Sequence, residues 1–466
     1  VGEQMNTTLP AVSGQRYSAL ALLAWPIVLG LLSQNIFNIV DMMMVGRLGE
    51  TALGAVGLAN YNNFMAAAAL MGLSSGVQAL AARRIGEGRT SESAIPLNGA
   101  LLLSLLGGIP IALALWILAP YLFALQASGE NQDIIDQATP YFRWRVLSVI
   151  FIGMNFSFRG FWNGISRPSV YFRSLVVIHI TNIFFNWVLI FGNLGLPALG
   201  VDGAGIASLL ATGVGSLIYI IQGFALASDR GFLARVPRGP SFRDLITLSI
   251  PNVLQQFFFA LGFAVMFSII ARLGSTNLAA ASISLNLVLV ALLPGMGLGM
   301  ATATKVGQAI GSKQGDEAAA WGWSGSHLAV VLVGFVGLLL AAFPDFAIGA
   351  FIQGESVSLE ERTRVIEAAR WAVRIVGFTI GLDAVSMVLM FSLQASGYVR
   401  PVLILSLVTQ WVIFTPLAIV VGPMMGGSFL DVWLLFIGYR MIQLVGFVIM
   451  WRAGKWRKVK LADDAE

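Results

Sequence analysis

Long apolar segments separated by short polar breaks run along almost the whole chain. A bilayer span needs about 20 mostly apolar residues, and the sequence supplies such segments nearly end to end. They cover residues 17–46, 52–82, 93–122, 136–162, 169–192, 202–227, 244–273, 276–307, 318–349, 367–395, 400–423 and 428–452. This pattern predicts an all-α polytopic membrane protein with twelve transmembrane helices, several of them tilted or extending beyond the bilayer.

Composition supports this prediction and excludes several other classes. Of the 466 residues, 57% are hydrophobic and 11% are charged, whereas a soluble domain carries about 25% charged residues. The net charge is +5, and the basic residues lie in short loops between the spans and form no continuous surface. We therefore predict no nucleic-acid partner. The absence of cysteine excludes disulfides and thiol chemistry. We also expect no cleaved signal peptide, because residues 1–15 are polar.

The loops alternate in charge along the chain. Arginine and lysine are concentrated in every second loop and in the tail RAGKWRKVK, whereas the loops at residues 126–136, 193–203 and 422–431 contain neither. The loop at residues 354–370 is mixed. The positive-inside rule then places the basic loops and both termini in the cytoplasm. We therefore predict a multi-pass protein of the cytoplasmic (inner) membrane.

The longest polar break, at residues 227–244, divides six spans from six, and the two halves repeat each other. Residues 26–86 align without a gap with residues 251–311, and Pro26 meets Pro251 in this alignment. We predict an N-lobe (residues 1–226), a cytoplasmic linker (227–243) and a C-lobe (244–466), related by an axis along the membrane normal with a cavity between them. Pro26 removes a backbone donor near the start of its span and is a predicted hinge.

One carboxylate lies deep inside the first span. Gly30, Gln34, Asn38 and Asp41 follow one another at helical spacing and form a polar stripe. Because a charge inside a span costs roughly 2.5–3.5 kcal/mol on insertion scales, we interpret Asp41 as a binding site for a cation or a proton. The alternative is a carboxylate that only holds helices together. In the alignment of the two halves, the residue that corresponds to Asp41 is Met266. The repeated scaffold therefore does not require a carboxylate at this position.

The fifth span offers partners for this carboxylate. His179, Asn182 and Asn186 form a second stripe, and the amide oxygens of Asn182 and Asn186 suit a proton relay or Na⁺ held at Asp41. His179 has the alternative interpretation of an ordinary interior residue. The other carboxylate well inside a span is Asp383, again with a purely structural alternative. Further candidates for a substrate chamber are Asn60, Asn63, Asn155, Ser208, Gln255, Gln256, Phe259, Ser282, Ser284, Asn286, Ser386 and Met390.

Enzyme signatures are missing from the sequence. We find no Walker A sequence, no HExxH and no GxSxG, and two histidines without cysteine leave little for metal catalysis. We predict no cofactor, and the energy for transport would come from an ion gradient. A membrane enzyme and a passive channel are the competing interpretations.

The chain resembles the multidrug and toxic compound extrusion (MATE) transporters of the NorM and DinF-like branches. The resemblance lies in DMMMVGRLGETALGAVGLAN, NIFFNWVLIFGNLGLPALGVDGAGIAS, ARLGSTNLAAASISLNL and LDAVSMVLMFSLQASGYVRP. It implies two six-helix lobes around a V-shaped cavity. It also implies export of lipophilic, mostly cationic compounds in exchange for H⁺ or Na⁺. A lipid-linked sugar flippase of the same superfamily is the alternative, and it would show a basic cavity.

The resemblance also implies roles for single residues. Asp41 matches the family's acidic residue in span 1, and Asn182 matches an asparagine of its N-lobe cation site. Asn186 stands where archaeal members carry an aspartate. Asp383 matches an aspartate of the C-lobe cation site, but Phe259 replaces the glutamate of that site. We therefore expect coupling at the N-lobe by H⁺, with Na⁺ as the alternative, in a protein that acts as a monomer.

Overall fold

The computed structural model describes residues 13–126, 132–352 and 359–462, which form helices and, within these ranges, no β-strand. The helices are α1 (Ser13–Gly46), α2 (Glu50–Met71), α3 (Leu73–Gly86), α4 (Ile95–Gln126), α5 (Gln132–Leu147), α6 (Val149–Gly164), α7 (Pro168–Phe191), α8 (Gly200–Ala227), α9 (Pro240–Ala271), α10 (Ser275–Gly311), α11 (Gly315–Ala342), α12 (Pro344–Gly349), α13 (Leu359–Ala395), α14 (Val399–Leu407), α15 (Thr415–Ile419) and α16 (Phe429–Ala453). Two π-helical segments, Val408–Phe414 and Val420–Met424, follow α14 and α15.

The helices follow the predicted spans closely. Within the described residues, eleven helical stretches are long and apolar enough to cross a bilayer. The remaining predicted span, 136–162, is built from α5 and α6, which meet at Ser148. α5 is too polar to qualify, because it carries Asp133, Asp136, Arg143 and Arg145. Parts of the loops predicted at 126–136 and 354–370 lie outside the described residues. The start of the predicted N-lobe (residues 1–12) and the end of the predicted C-lobe (residues 463–466) also lie outside them.

The prolines at the starts of the two halves behave alike, whereas the glycine-rich stretches do not. α1 continues as one helix through Pro26, and α9 continues through Pro251, so the hinge at Pro26 stays a prediction. The glycine-rich stretch near residue 72 interrupts the second span, where α2 ends and α3 begins. Its counterpart, around Pro294, lies inside the unbroken helix α10.

Each half has its own hydrophobic core, and each core takes in the start of the other half's first helix. Leu20 and Leu23 of α1 are buried in the core of the second half. Leu245 and Leu248 of α9, their counterparts in the repeat, are buried in the core of the first half. The halves are therefore interlocked by exchanged helix ends.

Glycines allow the two halves to approach each other closely. A Cβ atom on Gly72 would overlap the backbone and side chain of Val253, and a Cβ atom on Gly297 would overlap Val28. The two contacts are equivalent under the internal repeat, because it aligns Gly72 with Gly297 and Val28 with Val253. We call them the paired glycine contacts.

A band of hydrogen bonds joins the halves on the side of the basic loops. Gln78 Nε2 donates to the Met300 carbonyl (2.8 Å) and to Thr304 Oγ1 (3.0 Å), and Thr304 Oγ1 donates to the Asn163 carbonyl (3.0 Å). Gln308 Nε2 donates to Ser166 Oγ at 3.0 Å. We call this side the basic end, and the structure closes the space between the halves there.

The basic tail is anchored by one large side chain. Trp456 is fully buried, stacks on Trp451 with ring centroids 4.1 Å apart, and donates from Nε1 to the Trp451 carbonyl at 2.9 Å. Replacing Trp456 with alanine leaves a large cavity, which costs roughly 3–5 kcal/mol. We expect W456A to lower the midpoint of thermal unfolding in detergent, whereas K455A, at an exposed neighbour, leaves it unchanged. Equal midpoints for the two variants would contradict this anchoring role.

Candidate functional site

The polar stripes of α1 and α7 meet inside the first half. Asn186 Nδ2 donates to Asp41 Oδ1 at 2.5 Å and to Asn182 Oδ1 at 2.7 Å. Asn182 Nδ2 donates to Ser208 Oγ of α8 at 3.3 Å. Asn182 and Asn186 are one helical turn apart, so α7 presents both amides on the same face. The structure therefore connects Asp41, Asn186, Asn182 and Ser208 in one hydrogen-bonded chain across three helices, which we call the Asp41 chain.

One acceptor in this chain is free. Asn186 Oδ1 is buried and has no hydrogen-bond donor within the described residues. A buried carbonyl oxygen without a donor is unfavourable by roughly 1–3 kcal/mol. A proton carried by Asp41, or a cation beside it, would satisfy this oxygen.

An arginine of α5 lies beside the same carboxylate. Arg145 is close enough to Asp41 for an electrostatic interaction. With the Asn63 amide oriented to suit its neighbours, its oxygen accepts from Arg145 Nη2 and its nitrogen donates to the Arg145 carbonyl, both at 3.2 Å. Sequence reasoning missed Arg145 because it considered only acidic residues inside the spans. The signal was present, since a cation in an apolar segment needs a partner as much as an anion does.

Other predicted residues of the first half lie outside this chain. Asn60 accepts from the Tyr141 hydroxyl at 3.0 Å, and Asn38 is exposed. Gln34 borders a separate small void beside Arg159. Asn155 accepts from Ser216 Oγ at 2.8 Å and thereby ties α6 to α8.

His179 is also separate from the chain. Its ring stacks on Phe37 with centroids 4.4 Å apart. Both ring nitrogens are buried and have no hydrogen-bond partner in the described part of the chain. In this structure His179 therefore makes no hydrogen bond to the Asp41 chain, and its role as a proton relay stays a prediction.

The second half places a cation beside its own carboxylate. Asp383 of α13 forms a salt bridge of 2.6 Å with Arg440 of α16, and both side chains are largely buried. Arg440 Nη1 also donates to Gln443 Oε1 at 3.1 Å. The sequence analysis proposed Asp383 as a cation site and overlooked Arg440. Asp383 therefore has a cationic partner on α16, and a cation site at Asp383 stays a prediction.

A cavity of about 170 Å³ lies beside this salt bridge. It is lined by several predicted residues, namely Gln255, Gln256, Phe259, Asp383, Ser386 and Met390. Gln394 Nε2 donates to Gln255 Oε1 at 2.7 Å, and Gln255 Nε2 donates to Ser406 Oγ at 3.0 Å. Asn286 is exposed and donates to the carbonyl of Ser282 on its own helix. Most of the predicted chamber residues of the second half thus meet in one place, whereas Ser282, Ser284 and Asn286 do not line this cavity.

Comparison with known proteins identifies the family. The MatE family profile matches residues 26–188 and 251–420. A probable multidrug resistance protein NorM from Mesorhizobium japonicum is 28% identical over 345 residues, covering 72% of this chain and 73% of the relative. The NorM relative from Thermotoga maritima is 24% identical over 435 residues, covering 91% of this chain and 90% of its own.

Solved structures agree on the fold. A MOP superfamily transporter from Pyrococcus furiosus superimposes with a TM-score of 0.84 at 21% identity, covering 96% of this chain and 97% of its own. A MATE transporter crystallised with MaL6 gives a TM-score of 0.82 at 22% identity, covering 94% of this chain and 97% of its own. These structures have the twelve-helix fold, which confirms the predicted fold class. The chain therefore belongs to the MATE family of membrane transporters and is similar to its NorM members.

Proposed function

We propose that this protein is a secondary active multidrug efflux transporter. It exports lipophilic, mostly cationic compounds by antiport with H⁺, with Na⁺ as the alternative coupling ion. It acts as a monomer in the cytoplasmic membrane with both termini in the cytoplasm. The observation that carries the proposal is the Asp41 chain, which holds a carboxylate inside an apolar bundle with one acceptor still free.

Protonation changes what Asp41 can bond to. The ionised carboxylate accepts from Asn186, whereas the protonated form donates one hydrogen bond. If the Asn186 amide turns, its free oxygen accepts this new donor, and its contact with Asn182 breaks. Arg145 then loses its negative partner. Because the chain connects α1, α7 and α8, the rearrangement changes how these helices pack.

The same charge couples the ion to the substrate. Ionised Asp41 favours binding of a cationic compound in a chamber of the first half, whereas protonated Asp41 does not. The two ligands therefore exclude each other, which is the thermodynamic requirement for exchange.

Alternating access needs the halves to open at the basic end. In the proposed orientation this end faces the cytoplasm, so the hydrogen bonds of Gln78 and the paired glycine contacts close the cytoplasmic side. Opening requires the exchanged starts of α1 and α9 to withdraw from the opposite cores. The repeat makes the two withdrawals equivalent, which favours a rocking motion of the halves.

The lipid-linked sugar flippase alternative would place unpaired basic residues in the cavity. Arg145 and Arg440 in the interior each lie beside an aspartate, whereas the partly buried Arg159 borders the small void beside Gln34 and donates to Ser74 Oγ at 3.3 Å. The charge balance of the cavity beside Asp383 supports the antiporter over the flippase.

The test is transport of tetraphenylphosphonium in proteoliposomes under one gradient at a time. We expect a pH gradient alone to drive efflux and a Na⁺ gradient alone to leave the rate at that of protein-free liposomes. Efflux under Na⁺ alone would assign the alternative ion. Absence of transport under both gradients would overturn the proposed antiport.

A further inference from the structure

We propose that the cavity beside Asp383 and Arg440 is a binding site for small, electrically neutral aromatic compounds that carry an amide or a similar hydrogen-bonding group. As a binding site it stands on the structure alone. As a substrate site it rests on the proposed efflux function, whose predicted substrates are mostly cationic. The Asp41 site and this cavity would then divide charged and neutral compounds between the two halves.

The charge balance of the cavity excludes lone ions. Asp383 is its acidic lining residue and Arg440 its basic one, and their atoms are 2.6 Å apart. A charged ligand that leaves water needs an opposite charge to compensate. Both charges of the cavity are already used in the salt bridge. A neutral ligand avoids this cost.

The walls and the volume suit an aromatic ring. Phe258, Phe259 and Phe263 line the cavity, and ring pairs at edge-to-face or offset geometry add about 0.5–1.5 kcal/mol to simple burial. Met387 and Met390 also line it, and flexible thioethers adapt to rings of different shape. The volume of about 170 Å³ is close to that of an apolar cavity of roughly 150 Å³ that holds benzene.

The polar groups suit an amide. The side chains of Gln256 and Gln410 border the cavity, and neither makes a hydrogen bond to another described residue. A glutamine side chain has two donors and one carbonyl acceptor, so the pair complements a ligand amide. Gln255 is held in place by Gln394 and Ser406, which gives the site a rigid polar wall.

Three probes of nearly equal shape test the charge preference, namely neutral 2-naphthamide, cationic 2-naphthamidinium and anionic 2-naphthoate. Binding to the purified protein in nanodiscs is followed by naphthalene fluorescence, with empty nanodiscs as the reference for partition into lipid. We expect the wild-type protein to bind the neutral probe at least about tenfold more tightly than either ion, which corresponds to 1.4 kcal/mol. Tighter binding of either ion would overturn the proposal.

Variants of the salt bridge sharpen this test. Arg440→Gln leaves the Asp383 charge alone and should shift the preference to the amidinium. Asp383→Asn leaves Arg440 alone and should shift it to the naphthoate. The double variant D383N/R440Q is neutral again and should prefer the amide, as the wild type does. An unchanged order of affinities in both single variants would contradict the proposal.

Two further measurements keep the test decisive. If the single variants do not fold, the double variant and Gln410→Leu remain, and Gln410→Leu should weaken 2-naphthamide binding about fivefold or more while preserving the fold. Unchanged affinity in Gln410→Leu would count against the amide contact. Asp229→Asn removes an exposed carboxylate far along the chain from the cavity residues and should leave 2-naphthamide binding unchanged. Binding of 2-naphthamide is measured at equilibrium without a gradient, so it does not depend on the antiport. Failure of this site and failure of the antiport are therefore distinguishable.

Discussion

Asp41→Asn is expected to reduce gradient-driven efflux to the rate of protein-free liposomes. Asparagine keeps the shape of the side chain and can still accept a hydrogen bond from Asn186. The Asp41 chain therefore loses its charge and its proton-binding group, whereas its geometry changes little. Without a titrating group, the ion gradient is no longer coupled to substrate binding. The measurement is tetraphenylphosphonium efflux under an imposed pH gradient. Wild-type rates in this variant would disprove coupling at Asp41.

Stability has to be controlled in this experiment. Asp41→Asn leaves Arg145 without the carboxylate with which it interacts electrostatically, and loss of one partner of a charge pair inside a protein is destabilising. The double variant D41N/R145Q removes both charges and should recover thermal stability while transport stays absent. Asp229→Asn removes an exposed carboxylate from a loop and should transport normally. A double variant that regains coupled efflux would show that Asp41 serves only as the counter-ion of Arg145.

The fold could be predicted from the sequence because each span is specified locally. About 20 apolar residues suffice to define a membrane helix whatever surrounds it, and polar breaks mark its ends. The first predicted span, 17–46, is therefore close to α1 (Ser13–Gly46). The break between α5 and α6 was missed. Ser148 has ordinary helical backbone angles, and a local pattern does not reveal where the helix is interrupted.

The candidate site could be predicted only in part. Helical spacing indicated that Asn182 and Asn186 share a face, and the structure brings them to Asp41. Spacing within a helix says nothing about which distant helix supplies the next neighbour. Arg145 and Arg440 come from α5 and α16, so their pairing with Asp41 and Asp383 depends on tertiary packing alone.

The internal repeat carried information that spacing within one span did not. It aligned Gly72 with Gly297 and Val28 with Val253. In the structure these four residues form the paired glycine contacts. A pseudo-twofold interface requires that a contact made by one half recurs in the other with the partners exchanged. The sequence therefore contains two copies of the glycine–valine pair that brings the halves together.

Leucine at either of these glycines is expected to prevent closure of the basic end. At Gly72 the new side chain would overlap the backbone of Val253, and at Gly297 it would overlap Val28. Overpacking typically costs about 1–3 kcal/mol, and each 1.4 kcal/mol shifts an equilibrium about tenfold. We expect G72L and G297L each to lower efflux about tenfold or more, with the double variant near the rate of protein-free liposomes.

Spin labels can show whether the cause is the predicted opening. The chain contains no cysteine, so cysteines at the exposed positions Thr90 and Ser312 can be labelled in an otherwise unchanged protein. Distances between the labels should lengthen in G72L and G297L relative to the wild type. Gly57→Leu serves as the matched control, because Gly57 is exposed and a Cβ atom added there meets nothing within 4 Å. If G72L and G297L lost transport while the label distances stayed as in the wild type, the paired glycine contacts would not be what closes the basic end. Longer distances in both variants, and not in G57L, would instead show that the two copies of one repeated contact hold the halves together there.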